Sequence, residues 1–271
     1  MIHLKLPHEI AKIRKSADLV GRAHGEVAKA IRVGVTTEEL DAIAEDYIRT
    51  HNGKPAFKGY GFDRKNLFPS TLCISVNDVV VHGMPGAYAL AEGDIVSIDC
   101  GVNLDGYFGD YAYTYAIGEI SEEKKQLLKV TYESLYVGIE EAVVGKRTGD
   151  IGFAIQQYCE SRGYGVVREL CGHGCGKRLH EDPQVPNYGK RGGGKNLKDG
   201  LVICIEPMIN AGTAQVHSER DGWTVRTADR KPSAHYEHQV VCRRGKAEIL
   251  STFEYIQSVN DTHHIWENPQ K

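Results

Sequence analysis

Nowhere does the chain carry the run of about 18 apolar residues that a membrane-crossing helix needs. Residues 1–9 contain no apolar core of the kind that directs secretion. There is no surplus of positive charge either. The 33 Lys and Arg against 36 Asp and Glu leave a net charge of −3, which argues against a nucleic-acid or membrane-surface protein. A cytosolic chain with no nucleic-acid and no membrane partner is expected. Cysteine is present but not in a pairing pattern: there are seven, an odd number, with no Cys-x-x-Cys. Cys73, Cys100, Cys204 and Cys242 sit in apolar, strand-like runs and read as reduced, buried thiols. Cys171-Gly-His-Gly-Cys175 lacks the second cysteine pair of a zinc motif. The rest, 41% hydrophobic over 271 residues, fits one large globular domain or two small ones.

Against that plain background one stretch stands out: Ile98-Asp99-Cys100-Gly101-Val102-Asn103-Leu104-Asp105-Gly106-Tyr107-Phe108-Gly109-Asp110. Asp-Gly is a hairpin turn signal, and apolar residues alternate before it. A turn centred between Leu104 and Asp105 places Asp99 directly opposite Asp110, with Cβ atoms about 4.5–5.5 Å apart. A turn on Asp105-Gly106 offsets them by two positions but keeps them on one face, and a three-residue loop separates them. Like charges this close are unfavourable unless a cation lies between them, so the hairpin points to a divalent metal site.

The chain also repeats itself. Ile10, Ile13, Ala17, Val20, Val27, Ala30 and Ile31 follow helical spacing over 10–33, ended by Gly34. Thr36-x-x-Glu39 signals a capping box for a second helix bearing Leu40, Ile43, Ala44, Tyr47 and Ile48. A helix over 121–144, opened by Ser121 and closed by Gly145, and another over 149–162 match these two. The strand ending Ile98-Asp99 matches the one ending Ile205-Glu206, and each half then has a hairpin with a carboxylate on its outgoing strand, Asp110 or Glu237. The expected architecture is α+β: two pseudo-symmetric halves, roughly 7–118 and 119–250, each with two helices and antiparallel strands, in one domain spanning 1–271.

With His173 in Cys-Gly-His-Gly-Cys-Gly, the candidate ligands are Asp99, Asp110, His173, Glu206 and Glu237. Four carboxylates and one imidazole can hold two ions if some carboxylates bridge. An oxygen-rich set with one nitrogen suits Mn, Fe(II), Co or Zn. Two such ions about 3.5–4 Å apart share a water, lower its pKa and polarise a carbonyl, which is hydrolytic chemistry. Asp99 and Glu206 both follow apolar runs, where an unpaired carboxylate is costly.

Val80-Val81-His82-Gly83-Met84-Pro85, Ile98-Asp99 with Gly109-Asp110, Cys171-Gly172-His173-Gly174, His180-Glu181-Asp182-Pro183-Gln184-Val185, Ile205-Glu206-Pro207-Met208 and Tyr236-Glu237-His238 together resemble type I methionine aminopeptidases, in order and over nearly the whole chain. The resemblance implies the pita-bread fold. It implies that Asp99, Asp110 and Glu237 hold one ion, and that Asp110, His173, Glu206 and Glu237 hold the other. A metal-bridging water or hydroxide would attack the first peptide bond, with Glu206 as general base and the free substrate amine on a metal. His180 would stabilise the oxyanion, and His82 would contact the scissile amide and help protonate the leaving amine. Tyr60, Phe68, Cys73 and Trp223 match the family's methionine pocket in kind, since aromatic rings and a thiol suit a thioether. The implied substrates are nascent chains at the ribosome with a small second residue, and the enzyme is expected as a monomer.

Three features depart from the family pattern: Leu179 in place of an aromatic before His180, a long segment 61–68 that blurs which of Phe57, Phe62 and Phe68 line the pocket, and Tyr111 after Asp110, expected to alter the surroundings of that ligand. Proline-directed aminopeptidases and dipeptidases share the five ligands but add an N-terminal domain, for which a first helix near residue 7 leaves no room. Non-catalytic relatives have lost ligands that this chain keeps. The near phosphate-loop pattern from Gly189 to Asn196 ends in Asn where Ser or Thr would meet Mg²⁺, so it reads as a mobile basic surface loop.

Overall fold

A computed structural model describes residues 2–61 and 63–259. Pro7 at the first helical position and the Glu9 carboxylate, which accepts the Leu6 N–H at 3.0 Å, open α1 (Pro7–Ala30). The cap, not the first buried apolar residue, sets its start, three residues before Ile10. The Glu39 carboxylate accepts the Thr36 N–H at 2.7 Å and the Thr36 hydroxyl accepts the Glu39 N–H, so the expected capping box starts α2 (Thr37–Thr50). Then come β1 (Lys54–Pro55), β2 (Leu72–Val76), β3 (Val79–Val81), β4 (Ile95–Leu104) and β5 (Tyr107–Ala116).

The pattern restarts with α3 (Glu122–Glu140), N-capped by Ser121, and α4 (Thr148–Glu160). The helix α3 stops short of Val144, where the chain turns and the Val144 N–H donates to the Arg243 carbonyl, near the end of the same half, at 3.0 Å. There follow β6 (Gly165–Val166), β7 (Gly172–Gly174), β8 (Glu181–Val185), β9 (Val202–Ile205), β10 (Met208–Asn210), β11 (Val216–Ser218), β12 (Val225–Thr227), β13 (Ser233–His235), β14 (His238–Val241), β15 (Glu248–Ile249) and the short α5 (Glu254–Gln257).

In the first half β5 runs antiparallel along one edge of β4, with β1 and β2 on the other. In the second half the order is β15-β14-β9-β7-β8, and β14 pairs with β9 as β5 pairs with β4. Alternation on β5 divides its labour. Tyr111, Tyr113 and Tyr115 are buried on one face, against His24 of α1, Tyr236 and Phe253. Asp110, Ala112 and Thr114 take the other face. The Thr114 hydroxyl donates to the His235 carbonyl at 2.7 Å, and the Glu237 N–H donates to the Ala112 carbonyl at 3.0 Å. These bonds stitch the second half onto β5 and bring Glu237 beside Asp110. The same alternation corrects the expectation for Tyr111: its ring stacks on His24, with centroids 4.7 Å apart, away from the face of Asp110.

The glycine-rich segment 189–196 has no helix after it, as the rejected phosphate-loop reading requires. It is tied down rather than free, since the Gly192 N–H donates to Asp150 at 2.7 Å and the Gly193 carbonyl accepts the Gly149 N–H at 3.1 Å. Among the described residues no helix is long and apolar enough to cross a membrane. Phe62, weighed above for the pocket, and the tail 261–269 lie outside the described residues.

Candidate active site

Asp105 and Gly106 have φ of 53° and 79°, two successive left-handed residues, which is the turn that Asp-Gly favours. Leu104 therefore pairs with Tyr107, Gly101 with Asp110 and Asp99 with Ala112. Of the three registers open to the sequence, the turn on Asp105-Gly106 is realised. Asp99 and Asp110 are not directly opposed; they stand on one face, offset by two positions.

The second half brings His173, Glu206 and Glu237 to the same place. A Cβ on Gly172 would strike the Cys204 carbonyl of β9, and one on Gly174 the Asp182 carbonyl of β8. Only glycine lets β7 lie this close to both neighbours, which gives the Cys-Gly-His-Gly run its physical reason. His173 Nδ1 donates to the Gly174 carbonyl at 3.0 Å. That leaves the Nε2 lone pair free, 3.5 Å from Glu206 Oε1 and 3.7 Å from Asp110 Oδ2. Glu206 follows β9, where the Asn187 amide donates to its carbonyl at 2.9 Å, and Glu237 lies in the break between β13 and β14.

Burial pushes the Asp99 carboxyl up to about 7. Burial, and then the neighbouring carboxylates, push Asp110, Glu206 and Glu237 well above the usual range. Burial likewise lowers His173 to about 3 and His82 to about 4, and lowers His180. Asp99 Oδ1, Asp110 Oδ1 and Glu237 Oε1 are buried without a hydrogen-bond partner among the described residues. Native proteins rarely leave such oxygens unpaired, and among the described residues no lysine or arginine pairs with them. The donor set fits a divalent cation, which would supply both the missing partner and the missing charge.

A pH dependence follows. A carboxyl whose folded pKa is raised contributes stability that is full below its unfolded pKa and lost as pH rises through the folded one. The lowered histidines act the other way, but only below about pH 6.5. Above that the carboxylates act alone. The thermal midpoint of the metal-free protein should fall between about pH 6.5 and 8, and saturating divalent metal should remove the slope. A flat metal-free profile by calorimetry would contradict the like-charge cluster.

Beside the carboxylates, Phe57, Phe68, Cys73 and Leu179 form a buried apolar cluster, with Tyr60 and Trp223 packed against it. Phe68 meets Trp223 edge to face at 5.3 Å. His82, held at a φ of 57°, is edge-on to Trp223 at 6.3 Å, and His180 is edge-on to His173 at 4.2 Å. The Tyr60 hydroxyl is 2.6 Å from His180 Nδ1. All eleven residues singled out from the sequence border one cavity: Tyr60, Phe68, Cys73, His82, Asp99, Asp110, His173, His180, Glu206, Trp223 and Glu237. Phe57 and Leu179 border it too, which settles Phe57 and Phe68 as lining residues and puts Leu179 in the wall.

Sequence reasoning missed three participants. Cys204 lies among the ligand candidates; its signal was its place two residues before Glu206, hence on the same strand face. His235, whose Nε2 is buried without a hydrogen-bond partner among the described residues, is held low by burial and then by the nearby His82. Glu181, next to His180, is held by a buried ion pair with Lys5 at 2.5 Å, a contact across 176 positions with no local signal.

Residues 11–244 match metallopeptidase family M24. The chain is 49% identical over 255 residues to the methionine aminopeptidase of Clostridium acetobutylicum, covering 94% of this chain and 100% of that protein. The crystal structure of methionine aminopeptidase from Thermotoga maritima matches with a TM-score of 0.89 at 42% identity, over 93% of this chain and 100% of that one. The X-Pro aminopeptidase from Thermotoga maritima shares the fold alone: TM-score 0.71 at 22% identity, over 92% of this chain and 62% of that one. The two matched halves are those of the pita-bread fold, as expected. With a family match over most of its length and a cavity lined by buried carboxylates and imidazoles, the chain belongs to metallopeptidase family M24, among its methionine aminopeptidases.

Proposed function

We propose that this metallopeptidase, acting as one catalytic domain, removes N-terminal methionine from nascent polypeptides whose second residue is small. The observation that carries the reading is a single cavity lined on one side by Asp99, Asp110, His173, Glu206 and Glu237 and on the other by Tyr60, Phe68, Cys73 and Trp223. Asp99, Asp110 and Glu237 would hold one divalent ion, and Asp110, His173, Glu206 and Glu237 a second. Bound there, such ions make water acidic enough to give a nucleophile at neutral pH and polarise a carbonyl.

The chain's own groups do the rest. Glu206 lines the same cavity as the other proposed ligands, and its carboxylate is placed there to accept a proton. His180 is kept neutral by burial. In the tautomer whose Nδ1 accepts from the Tyr60 hydroxyl, 2.6 Å away, Nε2 would carry the hydrogen and could donate to a developing oxyanion. His82, also neutral, lines the cavity edge-on to Trp223 and would meet the scissile amide. Phe68, Trp223 and Tyr60 supply rings, and Cys73 a thiol, for contact with a thioether.

Initial rates on Met-Xaa peptides test the reading, with Xaa running from Gly and Ala to Leu and with Mn, Fe(II), Co or Zn supplied anaerobically. Free methionine should be released, and the rate should fall by about 100-fold from Ala to Leu. Cleavage of Xaa-Pro peptides as fast as of Met-Ala peptides would overturn it.

A further inference from the structure

We propose that Lys5 and Glu181 are positioning residues: the buried ion pair between them fixes the turn that presents His180 to the cavity. The inference rests on the oxyanion role given to His180 above and adds two residues that do not line the cavity.

The turn 175–180 joins β7, which carries His173, to β8, and it sets Leu179 and His180 against the cavity. Lys177 and Arg178 are exposed, yet their N–H groups both donate to the buried Glu181 Oε1, at 2.9 and 3.1 Å. The other oxygen, Oε2, accepts from Lys5 Nζ at 2.5 Å, with the two side chains 5% and 4% exposed. Lys5 is itself fixed. Its N–H donates to the Gly200 carbonyl at 2.7 Å, and its ammonium also donates to the His3 carbonyl at 3.2 Å. A Cβ on Gly176 would lie 2.3 Å from Lys5 Cε, so the lysine stem crosses the turn where glycine leaves room for it.

One carboxylate thus ties the backbone of the turn to the N-terminal segment. His180 is held twice, at its ring by the Tyr60 hydroxyl and at its backbone through its neighbour Glu181. An oxyanion donor acts only at the right distance, and a misplacement of about 1 Å can cost about 100-fold in rate. Removing one partner of a buried ion pair leaves the other desolvated and unpaired, and moving the turn toward solvent relieves it.

The test uses the full-length protein loaded with Mn(II). Lys5→Met keeps the length of the stem and removes its charge, and Glu181→Gln does the same for the carboxylate. Each should lower kcat on a Met-Ala peptide by about 10- to 100-fold, with KM and bound metal within a few-fold of wild type, because the lost interaction belongs to the transition state. Lys177→Met, which removes the exposed ion pair with Glu9 on the same turn, should leave kcat within about twofold. Hydrogen exchange separates positioning from general stability. In the first two variants the amides of 176–180 should exchange at least about 10-fold faster, with those of α1 and β4 unchanged. If neither variant folds, exchange in the wild-type protein decides, since the amides of the exposed Lys177 and Arg178 should be protected. Unchanged kcat, a fall in kcat matched by lost metal or by faster exchange throughout, or unprotected Lys177 and Arg178 amides in the wild type each overturns the brace and leaves the proposed peptidase standing. A wild-type protein that releases no methionine overturns both.

Discussion

Replacing Asp110 by Asn should lower kcat/KM on a Met-Ala peptide by roughly 10³-fold or more. In the proposed ligand set Asp110 is the one first-half carboxylate that serves both ions, and its Oδ2 lies 3.7 Å from His173 Nε2. The substitution keeps its shape and removes its charge. Two further readouts separate loss of a ligand from loss of structure. Bound metal should fall below the wild-type stoichiometry. The metal-free variant should be more stable than the metal-free wild type above about pH 6.5, because a buried carboxylate that repels Asp99 and Glu237 is gone. A variant that is less active but unchanged in both would place Asp110 outside the ligand set.

Replacing Glu206 by Gln should lower kcat by about 10²–10⁴-fold, with KM within a few-fold. The amide can still offer an oxygen but cannot take a proton at neutral pH. Glu206 lies 3.5 Å from His173 Nε2, so a purely ligating role would instead show as lost metal. A general-base role predicts that the variant keeps its metal at saturating concentration and loses the acid limb of the pH–rate profile. Unchanged kcat with metal bound would remove Glu206 from the chemistry.

The site was legible where the chain breaks its own rules. Carboxylates at the ends of apolar runs, Asp99 and Glu206, are conspicuous because burial makes them costly. The helices were legible from their caps and buried stripes, though their ends were not: α3 stops before Val144, whose N–H bonds the Arg243 carbonyl far along the chain, a tertiary contact. The hairpin register was open in the sequence because Asp-Gly and Leu-Asp centres differ only in backbone twist, which the left-handed residues Asp105 and Gly106 decide. Tyr111 was misplaced by reading adjacency along the chain as adjacency in space, although a strand turns neighbouring side chains to opposite faces. Lys5 and Glu181 meet across the fold, and no local pattern marks such a pair.

The bond from the Glu237 N–H to the Ala112 carbonyl sits on the seam between the two halves. Of the proposed ligands, Asp99 and Asp110 come from one side of that seam and His173, Glu206 and Glu237 from the other. A chain with one half folded offers two carboxylates, or three separate donors, and never the full set. Peptidase capability therefore requires both halves folded and docked, and an ion held by the proposed set would fasten them together.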